Sequence, residues 1–334
     1  MKKVINESNR VVEEMIEGFL AAYGRYYRKV PGVKGIVRQE KQDKVAVVIG
    51  GGSGHEPMFL GFAGEGLADG VAIGNVFAAP TPDTVYEVAK AADSGKGVLF
   101  VYGNYAGDVL NFDMGAELAE NEGIATKTVL VTDDVASAPP ERRGERRGIA
   151  GDVLVIKIAG AAAANGLDLE EVTRLAKKAN DNTRSIGVAL TPGSIPDTGT
   201  PTFTLPEDEI EFGMGIHGEP GVKRTKLMKA DELTDHMLQA VLEDLPFQAG
   251  DEVCVLINGL GSTTLMELLI VHRRVSHVLA DRGITVYDSD VNSFCTTQEM
   301  GGFSITLMKL DEELKKYYNY PAYSPFYAKQ RLGE

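Results

Sequence analysis

Val45-Ala46-Val47-Val48-Ile49-Gly50-Gly51-Gly52-Ser53-Gly54-His55-Glu56-Pro57 sets the terms for the rest of the chain. Apolar, mostly β-branched residues run into a block of glycines and then a histidine. The pattern predicts a buried parallel strand at 45–49 that ends in a tight turn, with a short helix that Pro57 can start at its first position. Open α/β sheets bind ligands beyond the carboxyl ends of their strands. Glycine tolerates positive φ and lets a ligand approach the backbone, so this turn can offer several N–H donors. Read from Gly50, the dinucleotide pattern G-x-G-x-x-G requires glycine where His55 stands, and the phosphate loop G-x-x-x-x-G-K-[ST] does not occur in the chain. Histidine in place of lysine suits a small polar ligand better than a polyphosphate. The plainer alternative is a strand-to-helix turn whose histidine faces solvent.

The 334 residues, 43% of them apolar and 38 of them glycine, suit a soluble protein of two domains. A formal charge of −14 argues against nucleic acid or an anionic membrane as the main partner. Cys254 and Cys295 stand far apart and in no metal-binding spacing, so a reducing cytoplasm is the expected home. The opening Met1-Lys2-Lys3-Val4-Ile5-Asn6 carries no signal-peptide core. The most apolar run, 149–164, contains Asp152 and Lys157 and is expected to be a buried helix that does not span a bilayer.

A helical stripe over 9–23 places Val11, Val12, Met15, Ile16, Phe19, Leu20 and Tyr23 toward a core. Strands are expected at 71–74, 97–102 and 128–132. Thr81-Pro82 should cap and open a helix, and Asp108 should cap another that runs through Glu122. This alternation predicts α/β architecture with mostly parallel or mixed sheets and helices on both faces. A loop at 137–148 carries Arg142, Arg143, Arg146 and Arg147, which either face an anionic ligand or partner or are simply solvated. The strand at 186–190 is taken to close an N-terminal domain of residues 1–190. A Thr/Pro-rich crossing then leads into a C-terminal domain of residues 191–334. There the stretch Ile210–Gly221 delivers His217 to a second glycine-rich turn, followed by helix 230–244, strand 253–258, helix 263–281 and strands at 284–287 and 303–310. His236, His272 and His277 lie within helical segments and read as structural. The tail aromatics Tyr317, Tyr318, Tyr320, Tyr323, Phe326 and Tyr327 are expected to pack against a domain or a second subunit.

Chemistry therefore gathers at three turns, 52–55, 103–108 and 213–221. A neutral imidazole can act as nucleophile or as acid and base near pH 7, and a carboxylate can take a proton from a hydroxyl. Two histidines and an aspartate could instead form a metal site, although no ligand pair has i, i+4 or short-loop spacing.

Gly50–Pro57, Asn104-Tyr105 with Gly107-Asp108, and Gly213–Gly221 resemble the signatures of the dihydroxyacetone kinase family, and the resemblance covers essentially the whole chain. The length is similar to that of the freestanding K subunit. The resemblance implies two α/β domains and a homodimer. It implies that His217 bonds covalently to the ketone carbon of a small ketose, that His55 and Asp108 hold and activate the accepting hydroxyl, and that Gly52, Ser53 and Gly54 help bind the substrate. No cofactor would bind to this chain itself. Phosphate would come from ADP/ATP with Mg on a separate L subunit, and in the phosphotransferase-linked version an M-type subunit rephosphorylates that nucleotide. The ultimate donor, phosphoenolpyruvate or ATP, stays open. Family members best known for dihydroxyacetone carry Lys-Asn-Tyr-Thr-Gly-Asp at the second turn, where this chain has Gly103 and Ala106. That form resembles a branch that includes kinases for four-carbon ketoses such as erythrulose. Some relatives of the K subunit bind the ketose but serve a transcriptional regulator as coactivators, and the retention of His55 and Asp108 favours the enzyme.

Overall fold

A computed structural model describes residues 2–330. The chain forms two compact units, and neither is continuous in sequence: one comprises residues 2–130, 153–179 and 314–330, the other 131–152 and 180–313.

In the first unit, helix α1 (Val11–Tyr23) precedes β1 (Tyr27–Lys29), β2 (Gly35–Arg38), β3 (Ala46–Ser53) and β4 (Gly70–Val76). Then come α2 (Pro82–Ala92), β5 (Val98–Gly103), α3 (Ala106–Asn121) and β6 (Thr126–Val131), with α4 (Asp152–Ala164) and α5 (Leu169–Asp181) further on. The sheet order is β1-β2-β4-β3-β5-β6. β3 lies parallel to both β4 and β5, while the β1–β2 and β2–β4 pairs are antiparallel. The predicted strand is longer than its apolar core, because the glycines continue it through Ser53. Gly50 pairs with Ala72, and a Cβ on Gly50 would collide with the Ala72 carbonyl, so the close strand approach needs a residue without a side chain. No helix starts at Pro57. Residues 56–59 form turns, and only a short 3₁₀ segment, Leu60–Phe62, follows. Val37, Val48, Val85, Val88, Phe100 and Phe112 form the core between this sheet and its helices. Each such side chain contributes about 1.5–3 kcal/mol when fully buried. Thr81 caps α2 as expected, its hydroxyl accepting from Thr84 N at 3.3 Å with Pro82 in the first turn.

The second unit contains β7 (Thr183–Thr191), β8 (Glu209–Phe212), β9 (Lys223–Lys226), α6 (Ala230–Asp244), β10 (Glu252–Gly259), α7 (Leu265–Asp281), β11 (Thr285–Asn292) and β12 (Gly301–Leu310). Its sheet order is β11-β10-β12-β7-β8-β9, and only β10–β11 is parallel. This sheet is mixed and mainly antiparallel. The strand expected to close the first domain, β7, pairs instead with β12 and β8 in the second sheet, and the crossing at 191–206 lies within the second unit. Alternate residues Val253, Val255 and Ile257 of β10 and Phe303, Ile305 and Leu307 of β12 face Leu238, Val241 and Val275 of the helices, the period-2 signature of one sheet face.

The C-terminal segment, from Leu314 of α8 (Glu312–Tyr318) onward, belongs to the first unit. There the tail aromatics find their partners: Phe326 stacks on Phe19 and meets Tyr23 edge-on, and Tyr323 contacts Tyr26. The buried Lys157 of α4 donates to the Tyr317 carbonyl at 2.9 Å. Among the described residues no helix is long and apolar enough to cross a membrane.

Candidate functional site

In the first unit, the carboxyl ends of the parallel strands β4, β3 and β5 lie side by side. Segment 77–80, which follows β4, ties two of the predicted turns to one place. Phe77 N donates to the Ser53 carbonyl at 2.9 Å, and Ser53 Oγ donates to the Gly74 carbonyl at 2.8 Å. On the other side Asn111 Nδ2 of α3 donates to the Pro80 carbonyl at 2.8 Å. His55 is buried, and its ring lies 5.1 Å, centroid to centroid, from that of Phe77. Phe77 has φ of 54°, rarely adopted by an aromatic residue, so the loop holds this ring in a constrained position. Gly54 has φ of 104°, open to glycine alone at low cost, and turns its N–H toward the Glu56 carboxylate at 3.0 Å. Burial pushes the Glu56 carboxyl up, against the backbone N–H groups that favour its ionised form.

Asp108 is not an N-cap. Tyr105 occupies that position, α3 begins at Ala106, and Asp108 is the third residue of the helix. A carboxylate in a first turn faces the positive end of the helix dipole. One of its oxygens is shielded from water. Its charge, like that of Asp113, adds to the burial that raises the Tyr102 phenol. A helix start at a strand end, carrying a carboxylate beside buried aromatic rings, can orient a substrate hydroxyl and accept its proton.

In the second unit, β8 leads into the turn that carries His217. His217 Nδ1 lies 3.0 Å from Glu219 Oε1, and His217 N donates to Glu219 Oε2, also at 3.0 Å. Burial by itself would raise the Glu219 carboxyl. The hydrogen bond and charge of His217, with help from the backbone, outweigh it and hold the group at about 2. Thr297 Oγ1 fixes the turn by donating to the Ile216 carbonyl at 2.8 Å. Gly215 leaves room for a pair of side chains: a Cβ there would meet Glu219 Oε2 and Arg147 Nη1 and displace the two.

That guanidinium belongs to the arginine-rich loop, where the expectation of an anionic ligand gives way to internal pairing. Arg147 Nη2 donates to Asp134 Oδ2 at 2.8 Å and to the Gly213 carbonyl at 2.9 Å, and Nη1 lies 3.9 Å from Glu219 Oε2. The fully buried Arg146 donates to Asp244 at 2.8 Å, Arg143 pairs with Asp181, and Arg142 with Glu145. Burial pushes Asp134 up to about 6, against the pull of Arg147. Every arginine of the loop thus has a carboxylate of its own chain.

His236 of α6 lies against Phe212, and His272 Nε2 of α7 meets Ser289 Oγ at 2.8 Å, while Cys254 and Cys295 are buried thiols. Among the described residues no cluster of three or more His, Cys, Asp or Glu side chains is arranged to hold a metal ion. Glu219 and Glu56 had no role in the sequence reading. A carboxylate one or two residues from each turn histidine was the available signal.

Two mixed sheets with helices packed against them define an α/β protein whose glycine-rich turns carry polar side chains. The chain belongs to the Dak1 family, matching the Dak1 domain over residues 17–326. It is 46% identical over 330 residues to the dihydroxyacetone-binding subunit of PTS-dependent dihydroxyacetone kinase 2 of Listeria innocua, covering 98% of this chain and 99% of that protein. It is also 46% identical to the D-erythrulose kinase of Mycolicibacterium smegmatis, where the match spans 98% of this chain but 57% of the relative. A solved structure of a dihydroxyacetone kinase operon co-activator superposes with a TM-score of 0.90 at 31% identity, over 97% of this chain and all of that one.

Proposed function

We propose that this chain is the ketose-binding catalytic subunit of a dihydroxyacetone-type kinase. The observation that carries the reading is the match along 99% of a dihydroxyacetone-binding subunit, with His55 and His217 at glycine-bearing turns and Asp108 in the first turn of α3. His217 adds to the ketone carbon. His55 and Asp108 hold the accepting hydroxyl and take its proton, and the backbone of Gly52, Ser53 and Gly54 contributes to substrate binding. The phosphoryl group comes from a nucleotide with Mg on a separate L subunit, which an M-type subunit can rephosphorylate. The working form is a cytoplasmic homodimer.

Physical chemistry supports a covalent step. Dihydroxyacetone has six heavy atoms and little apolar surface, and even the best small ligands gain only about 1.5 kcal/mol per heavy atom. A reversible bond to a carbonyl separates a ketone from the corresponding alcohol and fixes the reacting hydroxyl in place. The M. smegmatis relative supports a four-carbon ketose as an alternative substrate, and the co-activator structure supports a ketose-sensing role beside a transcriptional regulator as the competing function.

Ketose labelled with ¹³C at the carbonyl tests the proposal. Wild-type protein should convert the carbonyl signal into that of a tetrahedral carbon, and His217→Ala should not. Addition of an L subunit with nucleotide should then yield ketose phosphate. An adduct that survives in His217→Ala would refute the nucleophile, and adduct formation without turnover would favour the sensor.

A further inference from the structure

Glu219 and Arg147 of the arginine-rich loop have no part in the scheme above, yet they converge on the turn that carries His217. We infer that Glu219 is a positioning residue that fixes His217 as the Nδ1–H tautomer, and that Arg147 holds Glu219 in register. The inference rests on the proposal that His217 is the ketone nucleophile.

An ionised carboxylate can only accept, so the 3.0 Å contact between Glu219 Oε1 and Nδ1 requires a proton on Nδ1. In a neutral ring the lone pair then lies on Nε2. Glu219 cannot easily swing away, because its other oxygen accepts from His217 N at 3.0 Å and faces Arg147 Nη1 at 3.9 Å. Arg147 is itself pinned by Asp134 and by the Gly213 carbonyl at the start of the same turn. Gly215 leaves the space in which Glu219 and Arg147 meet. The turn sequence Gly213-Met214-Gly215-Ile216-His217-Gly218-Glu219 thus encodes the histidine together with the means of orienting it.

The addition balances on these groups. The Nε2 lone pair forms the C–N bond while the carbonyl π pair moves to oxygen, giving an alkoxide and a ring that is cationic with its proton on Nδ1. The Glu219 carboxylate stabilises that cation. The Nδ1 proton leaves to water by way of Glu219, and the alkoxide takes one proton from water. The sum is ketone plus imidazole giving a neutral hemiaminal, with no redox partner needed. An orienting carboxylate on a catalytic imidazole acts in this way elsewhere, and its loss costs about 10-fold to 10⁴-fold.

Two-bond ¹H–¹⁵N correlation spectra of ¹⁵N-histidine-labelled full-length protein, without ligand, read the tautomer directly. Wild type should show His217 protonated on Nδ1, and Glu219→Ala should shift it toward Nε2–H. The affinity for ¹³C-labelled ketose should fall about 10-fold or more. Glu219→Gln, which keeps the side chain's shape, provides the measurement if the alanine variant does not fold, and a mixed tautomer is expected there. Arg147→Lys, which keeps the charge but loses the fork, should give a partial shift in the same direction. A wild-type Nε2–H tautomer, or unchanged spectra in the Glu219 variants, would overturn the inference. If the tautomer shifts but wild-type protein captures no ketose, Glu219 positions His217 as inferred and the covalent reading is the part that fails.

Discussion

Gly215→Ala should separate ketose capture from folding. A Cβ at this position would sit 2.7 Å from Glu219 Cδ and collide with the tips of Glu219 and Arg147. Both obstacles are ends of rotatable side chains, and Gly215 is not in the left-handed region, so the backbone can accept alanine. Loss of glycine freedom in the unfolded chain favours the variant by about 0.4–1 kcal/mol. The part-exposed pair between Arg147 and Glu219, at 3.9 Å, contributes about 0–1 kcal/mol, so the two effects nearly cancel. Capture of ketose should suffer far more. A hydrogen bond to a charged group is worth about 1.5–3 kcal/mol, and losing the hold of Glu219 on Nδ1 therefore corresponds to about 10- to 150-fold weaker adduct formation. Urea denaturation should place the variant within about 1 kcal/mol of wild type, while titration with ¹³C-labelled ketose shows the loss. A folded variant that captures ketose within about twofold of wild type, well below the loss expected for such a bond, would refute the reasoning.

Asp108→Asn should leave ketose bound while phosphoryl transfer with an L subunit falls about 10²–10⁴-fold. Because Asp108 sits inside the first turn of α3 and is not its cap, the stability cost should be about 0.3–1 kcal/mol, and near-normal turnover would remove it from the mechanism. Glu219 is held at about 2 against an ordinary 4.5, so its contribution to stability is complete above about pH 4.5 and disappears as the pH falls through about 2. With a third of the side chain exposed, that contribution is about 1–2 kcal/mol, and urea midpoints across this range should show an acid-side loss that Glu219→Gln lacks. Asp134 acts in the opposite sense, since its raised value of about 6 gives stability that is present below its ordinary 3.8 and is lost as the pH rises through about 6. Erythrulose should be accepted at least as well as dihydroxyacetone, and Gly103→Lys with Ala106→Thr should shift the kcat/KM ratio toward three carbons by about 10- to 200-fold. Gly103 is buried at the end of β5 and Ala106 is exposed at the start of α3, so Ala106→Thr alone is the milder arm, and an unchanged ratio in both would mean that these positions do not read substrate length.

Much of this arrangement was legible because local chemistry dictates it. The apolar strand running into Gly50–Gly54, the Thr81-Pro82 helix start and the turn at His217 each follow from a few adjacent residues. The arginine loop was not legible for the opposite reason. Arg146 is neutralised by Asp244 and Arg147 by Asp134, and a charge run says nothing about carboxylates brought in from other elements. β7 was assigned to the wrong sheet because a buried strand reads the same whichever neighbours it pairs with, and its register with β12 is a long-range choice. Asp108 illustrates a finer limit. A helix-opening aspartate is a cap or a first-turn residue according to a shift of three positions, which local sequence signals do not resolve.

The discontinuity of the first unit bears on how the protein is made. A chain leaving the ribosome presents β1 to β6 early, but Phe19 and Tyr23 then lack Phe326, the Gly61 carbonyl lacks the Ser324 hydroxyl, and Lys157 lacks the Tyr317 carbonyl. These contacts close only when the last segment has been synthesised, after every strand of the second sheet. The second unit, whose helices and β10 to β12 are consecutive in sequence, can consolidate first. Completion of the first unit therefore requires residues 314–330, which follow every strand of the second sheet in the chain.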